Sequence, residues 1–217
     1  KVYEGIELCK KEGVDFLLGV GGGSVIDSCK AIGYGLCYDG DVWDIISQQV
    51  VPTACAPIAS VVTLAAAGSE MSNSCVITKE ETGEKRAVNN DVSRPKFAIL
   101  NPELTYTLPP YQTASGCVDI MSHTLERYFS DGGDVMLTDG IAEALLKTIM
   151  VMSKRALENP EDYEARANIM WAGMLAHNNT CGVGRVQDWA SHQIEHELSA
   201  LYDVAHGAGL AVVMPAW

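Results

Sequence analysis

The chain has 217 residues, 47% of them hydrophobic, and a formal net charge of −13 from 15 basic and 28 acidic side chains. That composition supplies a core for one large domain or two small ones, and it speaks against nucleic acid and anionic membrane surfaces as partners. Seven scattered cysteines, none in a C-x-x-C pair, point away from a disulfide framework and toward a reducing cytoplasm, and no apolar run is long enough to span a bilayer.

Residues 2–12 carry a helical pattern with Val2, Ile6 and Cys9 on one side and Gly13 as its stop. The run 14–20, "VDFLLGV", suits a buried parallel strand. Gly21, Gly22 and Gly23 follow, and then a helix with Ser24 near its N-cap. A second apolar run, 54–68, ends in a small-residue turn before Ser69 and Glu70. Residues 74–88 read as a hairpin turning at Thr82-Gly83, and 96–100 as a further strand closed by Pro102. Beyond Pro109-Pro110 only helices are expected, over 111–129, 134–156, 161–180 and 186–200, with one more starting near 206. The chain therefore divides into an α/β part, 1–108, and an all-helical part, 109–217. It opens without methionine inside a helical pattern and stops at "AVVMPAW", so a fragment of a longer protein is expected.

Two stretches carry chemistry. In "GVGGGSVID" the glycines allow close backbone approach, and the helix that follows offers free N–H groups and a partial positive charge to a phosphate. The stretch matches neither G-x-G-x-x-G nor a Walker motif, so a plain strand-to-helix turn remains the alternative; Asp27 fits a first-turn carboxylate that complements the helix dipole. The second stretch is "DWASHQIEHELSALYDVAHGAGLAV". His192 and His196 share a helix face, and His206 lies fourteen residues after His192. Asp119 and His123 sit one turn apart on an earlier helix, "VDIMSHTLERYFS". One Asp and three His make a workable shell for a divalent transition metal, although Gln193 breaks the H-E-x-x-H protease pattern. His177, beside Asn178 and Asn179, has no matching partner in the sequence and reads as structural.

With these residues in place, "GGGSVIDSCKAIG", "LAAAGSEMSNSCVI", "RPKFAILNPELTYTLPPYQTASGCVDIMSHTLERYFS" and "HQIEHELSALYDVAHGAGLAVVMPAW" closely resemble the iron-containing alcohol dehydrogenases, nearest the butanol dehydrogenase branch. The resemblance runs along essentially the whole chain. It implies a dehydroquinate synthase-like architecture: an α/β dinucleotide-binding part, then a helical domain, with the metal between them. It implies NAD(H) or NADP(H) and Fe²⁺ or Zn²⁺ as cofactors, and a small alcohol or aldehyde such as butanol or butanal as substrate. A homodimer in the cytoplasm is expected.

The resemblance also assigns roles by position. Asp119, His123, His192 and His206 match the metal ligands, and His196 a histidine near the nicotinamide suited to proton relay. Gly22, Gly23 and Ser24 match the pyrophosphate loop, with Asp27 beside it. Thr63, Ser69 and Lys85 fall in cofactor-lining segments. Relatives usually carry Ala-Thr-Gly-Ser or Gly-Thr-Gly-Ser where this chain has Ala66-Ala67-Gly68-Ser69, so a hydroxyl near the phosphates is missing at Ala67. On the same scaffold a glycerol-dehydrogenase-like polyol oxidoreductase or a dehydroquinate-synthase-like lyase is the rival enzyme. A non-catalytic metal- or nucleotide-binding fragment is the rival from another class.

Overall fold

A computed structural model describes residues 1–217. The chain forms two compact units, Lys1–Val62 with Ser69–Leu100, and Thr63–Gly68 with Asn101–Trp217. The sequence reading set one break after residue 108; the second unit instead begins at Asn101 and also takes in Thr63–Gly68.

The first unit is α/β. Helix α1 (Val2–Glu12) buries Ile6 and Cys9 and ends at Gly13, whose φ of 66° is the left-handed cap that glycine adopts without strain. Strand β1 is Leu17–Gly21, three residues later than the start of the apolar run, because the chain leaves Gly13 through a capping turn in which Val14 N donates to Cys9 O. Helix α2 (Gly23–Leu36) follows with Gly22 as its N-cap. Next comes α3 (Val42–Ile46), capped by the Asp41 side chain, which accepts from Trp43 N. At five residues it is too short to show helical periodicity in sequence.

Strand β2 takes only Ile58–Val62 of the long apolar run, just after Pro57. It pairs in parallel with β1 and with β5 (Ala98–Ile99), in the order β1-β2-β5. The hairpin is β3 (Ser74–Lys79) and β4 (Glu84–Asn89), with Gly83 at φ 70° in the turn. Ile6, Ala31, Tyr34, Val42, Ile45, Ile46, Cys75 and Val88 form the core that joins α1, α2 and α3 to the hairpin.

The second unit is helical. Pro110 opens α4 (Pro110–Tyr128), where its missing N–H costs nothing. Helix α5 (Met136–Glu158) and helix α6 (Tyr163–His177) pack against α4 around Ile120, Leu145, Ile149 and Ile169. Asp162 caps α6 by accepting from Ala165 N, a contact worth ~1 kcal/mol. That helix stops at His177 rather than 180, because Asn179 turns to φ 76° and a 3-10 turn, Thr180–Gly182, follows.

Helix α7 is Ala190–Tyr202, starting four residues later than the pattern suggests, and α8 is His206–Ala216. The segment Thr63–Gly68 lies against α4 and α6 at glycines: a Cβ on Gly116 would strike Ala65 O, and one on Gly68 would come within 2.6 Å of Gly173 O. No helix of the chain is long and apolar enough to cross a membrane.

Candidate metal centre and phosphate loop

Three histidines from three helices turn toward one carboxylate. Asp119 and His123 come from α4, His192 from α7 and His206 from the first position of α8. The Asp119 Oδ1 atom lies 3.4 Å from His123 Nδ1, 3.6 Å from His192 Nε2 and 3.6 Å from His206 Nε2. Asp119, His123 and His192 offer ligand atoms all within 4.8 Å of one another. These three residues are 3%, 3% and 6% exposed, so their polar atoms are cut off from bulk water.

Asp119 Oδ1, His123 Nδ1 and His192 Nε2 nonetheless have no hydrogen-bond partner. Three orphaned buried polar atoms aimed at one another cost free energy unless something binds them, and an anionic oxygen with imidazole nitrogens is a donor set for a divalent cation. The residues present therefore fit a metal.

Electrostatics agree with that reading. Burial alone would raise the Asp119 carboxyl, but His206, His192 and His177 outweigh it and lower it. Burial pushes His123 well below the ordinary histidine value, and His177, His192 and Arg127 push the same way. The His123 imidazole is therefore neutral, the form that ligates metals. Burial depresses His192 too, yet the Asp119 and Glu126 carboxylates overcome it and hold the ring at about 9. A cation at Nε2 would take the place of that proton.

The histidines are held from behind. Glu126, one turn beyond His123 on α4, accepts from His192 Nδ1 through Oε2 and from the N–H groups of Ser191 and His192 through Oε1, at 2.7 and 3.3 Å. Glu195 Oε2 accepts from His206 Nδ1. Gly209 makes room for it, since a Cβ there would lie 2.7 Å from Glu195 Cγ and Oε1, and Gly207 lets α8 press onto the Ser115 carbonyl of α4.

Arg127 donates to the carbonyls of His123 and Ala176, both at 2.9 Å, and stacks 4.3 Å over Trp189. The Trp189 ring in turn stands edge-on to His192 at 5.2 Å and to His123 at 5.9 Å. His177 stacks on His123 at 4.1 Å, and its Nδ1 donates to Ala67 O. His196 sits 5.4 Å, ring to ring, from His206, on the side of the cluster where both imidazoles are half-buried rather than buried.

In the first unit, Gly22 and Gly23 lie where β1 gives way to α2. Gly22 has φ −87°, a conformation open to any residue, so the torsion does not demand glycine; what glycine contributes is an absent side chain. Helix α2 has no side-chain cap and no acid in its first turn, and its first N–H groups lack intrahelical partners. Gly21 is glycine for packing, because a Cβ there would lie 2.6 Å from Val25.

Asp27 is buried, with Oδ1 accepting from Ser69 Oγ and Oδ2 from Val76 N at 3.0 Å. Lys30 donates to Ser69 O and Ser69 Oγ at 2.8 Å and to Ser74 O at 2.6 Å. Lys85 is half-buried on β4 opposite Thr78, and Thr63 directly follows β2 in the chain but belongs to the second unit.

Two family models match: iron-containing alcohol dehydrogenase over residues 1–102, and the C-terminal part of the Fe-containing alcohol dehydrogenase family over residues 113–217. The chain belongs to the iron-containing alcohol dehydrogenase family. It is 50% identical over 216 residues to NADH-dependent butanol dehydrogenase A of Clostridium acetobutylicum, covering 100% of this chain and 56% of that protein. It is 41% identical over 219 residues to the NADPH-dependent aldehyde reductase YqhD of Escherichia coli, covering 97% and 55%. The crystal structure of NADH-dependent butanol dehydrogenase A from Thermotoga maritima matches with a TM-score of 0.97 at 50% identity, over 100% of this chain and 54% of that one. The chain thus spans about half the length of the curated relatives it matches.

An α/β part followed by a helical part is the architecture of this chain, as its sequence led one to expect. Asp119, His123 and His192 are brought together with His206 beside them, and His196 lies one shell further out. Sequence reasoning did not foresee Glu126, Glu195, Arg127 or Trp189 around the histidines. Glu126 had a legible signal, since it stands seven residues after Asp119 and so on the same helix face.

Proposed function

We propose that the protein carrying this chain is a metal-dependent, NAD(P)-linked alcohol dehydrogenase or aldehyde reductase acting on a small primary alcohol or aldehyde such as butanol or butanal. The observation that carries this reading is the convergence of Asp119, His123, His192 and His206, the first three with unsatisfied buried atoms. The names of the relatives support the substrate class and either nicotinamide form.

Asp119 Oδ1 and the three imidazoles would hold the ion; Fe²⁺ is the family's metal, and Zn²⁺ takes the same donors. When bound, the metal supplies Lewis-acid polarisation of a carbonyl oxygen, and the nicotinamide supplies or accepts the hydride. The chain's own residues do the remainder. Gly22, Gly23 and Ser24 bind the pyrophosphate through backbone N–H groups at the uncapped start of α2. Asp27, on the same helix as that loop's end, holds Ser69 Oγ and Val76 N, and Thr63, Ser69 and Lys85 line the cofactor.

The buried ring of His123 and the half-buried ring of Trp189 exclude water from one side of the site. His206 and His196 occupy the more open side, where substrate enters. His196 holds or moves a proton at its imidazole during alkoxide–alcohol exchange. A homodimer in the cytoplasm completes the reading.

The test compares two histidines in the whole encoded protein. His192→Ala is expected to lose bound metal and with it butanal reduction. His196→Ala is expected to keep its metal and lose ~10²–10⁴-fold in kcat, the usual scale for an acid–base group. Equal metal loss in both variants would make His196 a ligand, and full activity in His196→Ala would remove it from the mechanism.

A further inference from the structure

We infer that Glu126 and Glu195 are positioning residues for the metal, each gripping the Nδ1 of one ligand histidine so that its Nε2 is turned to the ion. This deepens the proposed function and rests on it. The geometry repeats across two pairs of helices. Glu126 on α4 holds His192 on α7, and Glu195 on α7 holds His206 on α8. In both pairs the opposite nitrogen, Nε2, lies 3.6 Å from the same atom, Asp119 Oδ1. Two independent rotamers on two helices are thereby aimed at one point.

The arrangement also joins the helices in series. Asp119, His123 and Glu126 share one face of α4, so a single helix carries two ligands and the clamp for the third. Glu126 additionally caps α7 through the N–H groups of Ser191 and His192, which fixes the first turn where His192 sits. Its clamp and its cap are one group, and it shares the first turn of α7 with Asp188, which accepts from Ala190 N at 2.9 Å.

Glu195 is 0% exposed, a burial that a carboxylate tolerates only with partners. It reaches His206 because position 209 has no side chain. A carboxylate on the far nitrogen fixes the tautomer, holds the ring plane and makes the metal-facing nitrogen more basic. A neutral amide in its place keeps the shape and loses the charge.

The experiment measures Zn²⁺ affinity by competition with a chromophoric chelator, in the whole encoded protein and in its Glu195→Gln and Glu126→Gln variants. The Co²⁺ ligand-field spectrum is recorded alongside. Each variant is expected to bind Zn²⁺ ~10–100-fold more weakly, with a shifted Co²⁺ band. Thermal melts without metal identify the folded fraction; Glu195→Gln, which leaves the α7 cap intact, decides the matter if Glu126→Gln folds poorly. Zn²⁺ affinity within twofold of the parent, with only a lower melting temperature, would reduce both residues to buried packing and overturn the inference. Saturation at two Co²⁺ per chain would overturn it differently, by making Glu195 a ligand with His196 and His206. If the parent protein itself binds no Zn²⁺ or Co²⁺, the proposed function falls, and this inference with it.

Discussion

Each unit of the chain buries a polar cluster, and the two clusters are built in opposite ways. In the first unit Lys30 and Asp27 close on themselves. The ammonium reaches Ser69, Ser72 and Ser74, and both carboxylate oxygens have protein donors. In the second unit Asp119, His123 and His192 are just as buried, yet each leaves a polar atom unanswered and aimed at the others. A closed network tells of structure, because every group has found its partner within the chain. An open one leaves donor atoms available to a ligand. Burial alone does not separate the two; the satisfaction of each atom does.

The difference predicts different responses to substitution. The largest stability effect should come from the closed cluster. Lys30→Ala strands Asp27 and several carbonyl oxygens in the interior, and breaking a buried ion pair from one side costs ~3–5 kcal/mol. Burial already pushes the Asp27 carboxyl up and the Lys30 amine down, and each opposes that push on the other. Urea unfolding of the whole encoded protein should show the loss, while Zn²⁺ stoichiometry in the folded protein stays unchanged. A mild loss, below ~1 kcal/mol, would mean that the cluster is not closed in the way described.

The open cluster should answer to a ligand instead. A cation that binds only the folded form stabilises it by about 2.7 kcal/mol at a free concentration one hundred times Kd. Zn²⁺ should therefore raise the unfolding free energy by that order in the parent protein and in Lys30→Ala alike. In Asp119→Ala the increment should vanish, since the one atom common to all three close approaches is gone. An increment that survives Asp119→Ala would place the cation elsewhere.

These contrasts also show what a sequence can disclose. The one-turn spacing of Asp119 and His123 and the block from His192 to His206 pointed to the open cluster, because two ligands on one helix reach the same ion only when they share a face. The glycines after β1 announced the strand-to-helix turn in the same way. Partners that lie far apart in the chain left no such trace. Lys30 reaches residues 39 to 44 positions away, and Glu126 reaches 65 and 66 positions to Ser191 and His192.

Asp27 was expected in the first turn of α2, but that helix starts at Gly23 and has no acid there; Asp27 lies one turn further on, buried against Ser69 and Val76 by the hairpin. Glu195 stands beside His196 in the sequence, with nothing there to give it a role. Its role becomes visible once α8 brings His206 and Gly209 against α7. At the start of helix α7 the local Asp188 accepts from Ala190 N, while the next two N–H groups go to Glu126 on another helix, a partner that no local pattern records.

The smallest expected effect tests how the closed cluster is closed. Ser72 Oγ lies 3.5 Å from the Lys30 ammonium, at the limit of a hydrogen bond, and 3.3 Å from Ser74 N, which donates to it. The Ser72 carbonyl oxygen, at 3.2 Å, is a second acceptor from the same residue and survives truncation of the side chain. Lys30 keeps the Ser69 and Ser74 oxygens as well. If the network is held mainly by backbone carbonyls, Ser72→Ala removes two long contacts, from the Lys30 ammonium and from Ser74 N, and should cost ~0.5–1.5 kcal/mol, the net worth of a single good hydrogen bond. Ser69→Ala should cost more, since Ser69 Oγ links Lys30 to Asp27 and its loss leaves Asp27 Oδ1 without that donor. The two variants, compared by urea unfolding under the same buffer, rank the side-chain link against the backbone cradle. Equal costs would show that the link from Lys30 through Ser69 Oγ to Asp27 adds nothing beyond an ordinary side-chain hydrogen bond.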